Sequence, residues 1–517
     1  MLFRCILIVL LLGHGGAMAQ PDPVQHPPLD QPQGWTRSEL EIFSHSPVGS
    51  RLVPYLWFPN LEQAASQELF AAPENLARYG FIPAAANPLN PAALPVGLSR
   101  ERDRINGPWL GMSCAACHTR AITAAGQTVL VQGAGAMLDS WAFLRDLSAA
   151  LTATAADDAK FARFAGRLAV PEPERPGLRE RLANLAEARA AATRRDTPAI
   201  DPGPGRLDLL GLLVNATAAR LGHPEDAGPP AAPIHVPRLW GASTYDRTLS
   251  SGLSNAGLGP LLRNIGQVLA TGGTVNLAAP PYSGSVSLVD LETIEALLRK
   301  LQPPPWPSAF PSIDPARAAQ GAAIFAEACA GCHRPAGRDA NNLLSLTTVP
   351  AEQPTALSRI MSSGPLAGRP ADLVTGPPLA ERSTATAITS HIAIGIAAPL
   401  PQARFQAGLA TYLNVPAGKD KLRALPLTGI WANAPFLHNG SVASLQQLLE
   451  PPAARAPRFS LNPPEYDPAA IGLPANDDAP GPTLDTSQPG NANTGHEYGT
   501  ALAPDAKQSL LEYLKTL

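Results

Sequence analysis

Two short segments set a pair of thiols beside an imidazole: Cys114-Ala115-Ala116-Cys117-His118 and Cys329-Ala330-Gly331-Cys332-His333. Both fit Cys-x-x-Cys-His. In that order the two thiols form thioethers to porphyrin vinyl groups, and the histidine falls beneath the iron as its proximal ligand. This is the attachment pattern of a c-type haem. The sequence has five cysteines. The one outside these motifs, Cys5, lies in a segment expected to be cleaved off. Every cysteine of the mature chain is then spent on two covalently bound haem c groups. A structural zinc site has no need of a histidine directly after the second cysteine, and a redox dithiol would not need one in both copies.

The opposite axial position decides whether an iron passes electrons or binds oxygen and peroxide. The closing helix Gln508 to Leu517 resembles the C-terminal helix of small cytochromes c, through Leu510-Leu-Glu-Tyr-Leu-Lys515. Counting back from Leu510 by the interval that separates distal ligand from helix in those proteins lands on His496. This histidine is the expected distal ligand of the second haem. His438, in Pro435-Phe-Leu-His-Asn-Gly440, is the rival, with a place near a propionate as its other role. The same count in the first half, with Leu298 set against Leu514, reaches Pro280, followed by Pro281 and Tyr282. No histidine or methionine lies there, so the first haem is expected to have an open face. Tyr282 is one candidate for that pocket, since tyrosinate binds ferric haem. His235 is the other, as ligand, acid/base or structural residue. Met112 lies too close to Cys114 for a distal approach, and Met137 reads as core packing.

These groups need helices to carry them. Leu291 to Leu301 and Gln508 to Leu517 each place apolar residues three and four apart, which gives one buried stripe. They end at nearly equal intervals after His118 and His333, which suggests a duplication. Residues 1–19 read as a signal peptide, with Arg4, an apolar run from Cys5 to Leu12 and the small-residue cleavage site Ala17-Met18-Ala19. Residues 20–108 form an N-terminal extension. Residues 109–302 form a first haem domain with a helical insertion at about 141–220, and 303–517 a second. Pro303-Pro304-Pro305-Trp306-Pro307 reads as a stiff linker between them. The 57 prolines require long ordered loops between helices. The expected fold is mainly α, two tandem cytochrome-c-like domains with loop-rich insertions. The net charge of −3 gives no reason to expect nucleic acid or an anionic membrane as a partner, and no later stretch is apolar enough to span a bilayer. The mature chain is expected to be periplasmic or secreted, where haem attachment takes place.

Longer blocks carry a resemblance. Gly80-Phe81-Ile82-Pro83, Leu94-Pro95-Val96-Gly97 and Trp109 to Thr119 resemble the first-haem region of the rubber-oxygenase-like dihaem cytochromes, as Leu427 to Val442 and Asp485 to Gly499 resemble its later blocks. That group is related to bacterial dihaem cytochrome c peroxidases and to dihaem enzymes that modify tryptophan in partner proteins. The resemblance implies a reactive haem on His118 and an electron-relaying haem between His333 and His496. It also suggests a candidate calcium ion between domains, although no acidic loop of the EF-hand kind occurs. Rubber oxygenases keep a phenylalanine over the reactive haem, and Trp240 to Arg263 contains none, which counts against polyisoprene as substrate. Arg238, Arg247 and Arg263 are candidates to bind propionates or donate to peroxide. Trp109 and Trp431 are candidates for electron transfer between haems, with core packing as the alternative.

The expected function is a haem oxidoreductase, peroxidase-like or dioxygenase-like, activating peroxide or dioxygen at the first haem. Its partners would be an electron-donor protein or small redox partner and, for the dioxygenase variant, an apolar organic substrate. A non-enzymatic dihaem electron carrier is the alternative, with both irons six-coordinate. Oxidation of a partner protein is a third reading.

Overall fold

The computed structural model describes residues 29–103, 107–224, 227–231, 233–249, 252, 254–255, 257–334, 337–338, 343–350, 385–413, 421–479 and 481–517. The expected signal peptide, 1–19, lies outside them.

The described chain enters through β1 (Leu29–Asp30) and α1 (Arg37–His45). Thr36 and Glu39 cap α1 reciprocally, each side chain accepting from the other's amide, so two orphan donors are satisfied. β2 (Val53–Pro54), α2 (Pro73–Ala77), β3 (Leu98–Glu101) and β4 (Trp109–Met112) follow. β4 is the middle strand of an antiparallel sheet in the order β2-β4-β3, and it runs straight into the first cysteine motif. α3 (Ala115–His118) is one helical turn, and β5 (Thr119–Ala124) leaves it at once. β5 returns as β6 (Gln127–Gln132) through Ala125-Gly126, both at positive φ (50° and 74°). That two-residue loop matches the right-handed twist of its strands.

This corrects the expectation of a mainly α domain around the first motif, which sits between two small sheets. The reason is local: Thr-Arg-Ala-Ile-Thr-Ala is rich in β-branched residues, and it buries Ile122 and Ala124 while exposing Ala121.

The helical insertion is present as α4 (Ser140–Ala156), α5 (Asp158–Arg167) and α6 (Arg175–Arg195). Asp139 and Asp157 accept from the first turns of α4 and α5, as N-caps do. These helices share an apolar cluster with the N-terminal extension, built from Phe58, Phe70, Phe143, Phe164 and Leu182. One carboxylate ties the layers together. Glu62, 1% exposed, accepts from Arg163 at 2.7 and 2.8 Å, Arg167 at 3.0 Å and Lys160 at 3.3 Å. The Arg163 bonds foremost hold its pKa near 2, against an ordinary 4.5. A depressed folded pKa means stability that is present above about 4.5 and lost as pH falls towards about 2. Thermal unfolding between those limits should therefore fall more steeply for the wild type than for Glu62→Gln. Parallel pH profiles would show that the cluster does not stabilise the ionised carboxylate.

β7 (Arg206–Leu207) pairs with β8 (Ile234–His235), and α7 (Leu209–Arg220) lies between them in sequence. α8 (Gly259–Ala270) and α9 (Leu288–Leu298) complete the first half. Leu291, Ile294 and Leu298 form the buried stripe of α9. α10 (Pro315–Ala328) starts at an Asp314 cap with proline in its first turn, and α11 (Ala330–His333) carries the second motif. The remaining helices are α12 (Ala385–Ala397), α13 (Gln402–Leu413), α14 (Leu445–Leu448) and α15 (Pro504–Lys515). α10 crosses α15 at Gly321, where a Cβ would fall 1.9 Å from the Ser509 carbonyl oxygen.

The two halves do not keep separate cores. Ala115, Ile122 and Val131 belong to the same apolar cluster as Trp431, Leu510 and Leu514. The Pro303–Pro307 segment is built into this core rather than acting as a spacer. The Trp431 indole donates to the Pro304 carbonyl at 3.1 Å, and Trp306 stands edge-on to Trp431 at 5.7 Å. A proline run carries no backbone N–H that burial would strand, so it suits such a position.

Candidate functional site

At the first motif, β4 delivers Cys114 and the single turn of α3 sets Cys117 and His118. None of the four motif cysteines is in a disulfide, so both pairs remain for attachment, and burial pushes the Cys114 and Cys117 thiols up, to about 12 and about 11. His118 is pulled down to about 3 by burial and then by the Arg263 charge, which leaves a neutral imidazole. The Pro237 carbonyl lies against the ring and favours its protonated form, without reaching hydrogen-bond geometry at Nδ1.

The motif opens onto a cleft that is partly open to solvent. Leu239, Val268, Leu291, Ile294 and Leu298 give it apolar walls. Three guanidinium groups, Arg238, Arg263 and Arg423, line it as well. Arg263 is paired with Glu295 at 2.8 Å. Arg238 keeps a buried Nε with no partner among the described residues. Paired thiols, an imidazole, apolar walls and an unsatisfied buried cation fit a haem with its acidic propionates. Arg247 is not among the described lining residues; its carbonyl accepts from Arg423 instead.

His235 reaches the cavity, but from a particular side. It ends β8 and stands two residues before Pro237, whose carbonyl lies beside the His118 ring. Its neighbours Arg120 and Arg206 add to the burial that pulls it down to about 3. The expectation of Tyr282 in this pocket is corrected. Its ring packs on Gly395 of α12, its amide donates to the Gly395 carbonyl at 3.1 Å, and it is not among the described lining residues. The loop after α8 is spent on that packing, so aligning the two halves by their closing helices misplaces the tyrosine. Met112 lines the cavity from β4, on the cysteine side, while Met137 packs against Gly205.

At the second motif, His333 Nδ1 donates to the Leu425 carbonyl at 2.8 Å, leaving Nε2 available. The His496 ring faces it with centroids 6.2 Å apart and planes at 48°. An imidazole centroid lies roughly 1.2 Å behind its nitrogen and a metal–nitrogen bond is about 2 Å, so two rings that held one iron between them would stand roughly 6.4 Å apart. The pair therefore fits a haem iron between them. His496 has φ 51°, a left-handed conformation that histidine adopts more readily than most residues. Arg455, 4% exposed, holds its loop: the guanidinium donates to the carbonyls of Asn493, Gly495 and His496 on one side and Leu448 and Glu450 on the other. The His438 carbonyl accepts from the His235 amide at 2.9 Å, which joins the rival's segment to the strand beside the first motif.

Of the aromatic candidates, Trp109 lies in β4 away from the described cavity lining, and Trp431 is core. Sequence reasoning missed Arg423 and Arg455, because a buried arginine carries no local signature. It also missed the two carbonyls behind the proximal histidines, which any residue could supply. Among the described residues there is no group of three or more His, Cys, Asp or Glu side chains that could hold a metal ion, so the calcium expectation finds no carboxylate cluster. Among them, too, no helix is long and apolar enough to cross a membrane.

Comparison with known proteins places two family matches on the second half. Residues 422–460 match the family described as RoxA-like, cytochrome c-like, and residues 318–380 match cytochrome c. The chain is similar to the uncharacterised protein y4iJ of Sinorhizobium fredii, at 29% identity over 99% of this chain and 98% of that protein. It is also similar to the uncharacterised protein y4iM of the same organism, at 28% identity over 47% of this chain and 58% of that one.

Proposed function

We propose that the chain, whose second half matches the RoxA-like and cytochrome c family models, is a dihaem c-type oxidoreductase of the periplasm or cell exterior. In this reading His118 would hold a haem that supplies chemistry on peroxide or dioxygen, and His333 with His496 would hold one that supplies electrons. One asymmetry carries it. His333 has a second imidazole at axial distance. The cavity beside His118 presents Met112, His235 and Tyr245 among the described residues, and none of these described residues forms a ring pair with His118 like that of His496 with His333.

A haem iron supplies redox chemistry on peroxide or dioxygen when one axial position is open. The chain's own residues prepare the setting. Burial keeps His118 neutral and able to ligate. Arg263 and Asn264 of α8 share Glu295 at 2.8 and 2.7 Å, while Arg238 keeps a buried Nε with no partner among the described residues. A fixed, unspent donor of that kind suits a substrate that gains negative charge as it is reduced. An electron-donor protein or small redox partner would serve the second haem.

Visible and EPR spectra of the mature dihaem protein test this. The expected result is one low-spin and one high-spin haem, with hydrogen peroxide changing only the high-spin signal. Two low-spin haems indifferent to peroxide, oxidised or half-reduced, would make the protein an electron carrier instead.

A further inference from the structure

One short stretch of chain ties the two motifs together. The Pro237 carbonyl lies against His118. The next residue, Arg238, donates through Nη2 to the Pro426 carbonyl. Leu425, just before it, offers the carbonyl that accepts from His333 at 2.8 Å. Two residues further on, the Trp240 indole donates to the Thr428 carbonyl at 2.7 Å. Residues 237–240 and 425–428 thus form a strut from one proximal histidine to the other.

Arg238 is the charge in that strut. It is 7% exposed, it lines the first cavity, and its Nε has no partner among the described residues. Its charge also reaches His333, whose protonated form it disfavours. The other cavity arginines are placed differently. Arg263 is neutralised by Glu295, and Arg423 spends donors on the Leu249 and Arg247 carbonyls.

We propose that Arg238 couples the two haem sites electrostatically and holds both irons at a higher reduction potential than they would have without it. The inference rests on the two-haem reading above. A buried cation is weakly screened and favours the less positive, reduced state of any metal it faces. One cation shared by two sites therefore acts on both with the same sign.

Potentiometric titration of the mature dihaem protein, followed by visible absorption, reads both midpoints. In Arg238→Gln both midpoints shift to more negative values while EPR shows unchanged spin states. A shift at one haem alone, or at neither, overturns the proposal. Arg238→Lys keeps the charge, so both midpoints stay near wild type; a large fall at either, with spin states unchanged, overturns it also. The lysine variant carries the test if the glutamine variant does not accumulate as a dihaem protein. The function reading stands or falls separately, on wild-type spin states and the peroxide response, since two low-spin haems would report their midpoints equally well.

Discussion

On the two-haem reading, replacing His496 with alanine is expected to remove the low-spin signal of the second haem and leave the first unchanged. The His333 and His496 rings stand 6.2 Å apart, as two ligands of one iron would. Alanine supplies no donor, so that iron becomes five-coordinate or takes water, and its EPR spectrum becomes high-spin. An unchanged low-spin spectrum would take His496 out of the site. Arg455 offers a second way to the same result. Its guanidinium spans five carbonyls on both sides of the His496 loop. Lysine cannot span them, because its donors sit on one point rather than on a planar fork. Arg455→Lys should therefore give a mixture of high- and low-spin second haem, with charge preserved.

The second large effect is expected at Gly97, far from both histidines in type but not in space. Gly97 has φ +91°, and a Cβ there would lie 2.3 Å from Cα and 2.4 Å from N of Ala116, between the two cysteines of the first motif. Its carbonyl also accepts from the Ser113 amide at 2.8 Å. Gly97→Ala combines an unfavourable backbone conformation, about 1–3 kcal/mol, with overpacking against backbone, about 1–3 kcal/mol. A loss of roughly 2–6 kcal/mol in stability follows, together with a changed high-spin signal and an intact low-spin one. Stability and spectra equal to wild type would mean that the extension does not brace the first motif.

What could be read from the sequence follows the range of the interactions involved. Cys114, Cys117 and His118 form a local pattern, as do Cys329, Cys332 and His333, and one helical turn suffices to arrange each. His496 was reachable by counting because loop and closing helix are joined covalently and α10 locks α15 at Gly321. The same count failed for Tyr282, since the corresponding loop of the first half turns to Gly395 instead. The hairpin after His118 is legible in the β-branched residues of Thr119 to Ala124, a local signal that outweighs the helical surroundings of a cytochrome-c-like motif. Arg238, Arg423 and Arg455 were hidden for a different reason. Their partners are backbone carbonyls from distant segments, which leave no trace in residue identity.

The packed proline segment has a consequence for how such a chain can be inherited. A duplicated protein is often divisible at its join, and each copy can be lost, swapped or reused. Here the join itself, Pro304 with Trp306 and Phe310, closes around Trp431 from the other half. Dividing the chain there would bare aromatic surface on both pieces, which exposed proteins rarely tolerate. The two halves are therefore expected to fold and persist only together, whatever chemistry each one carries.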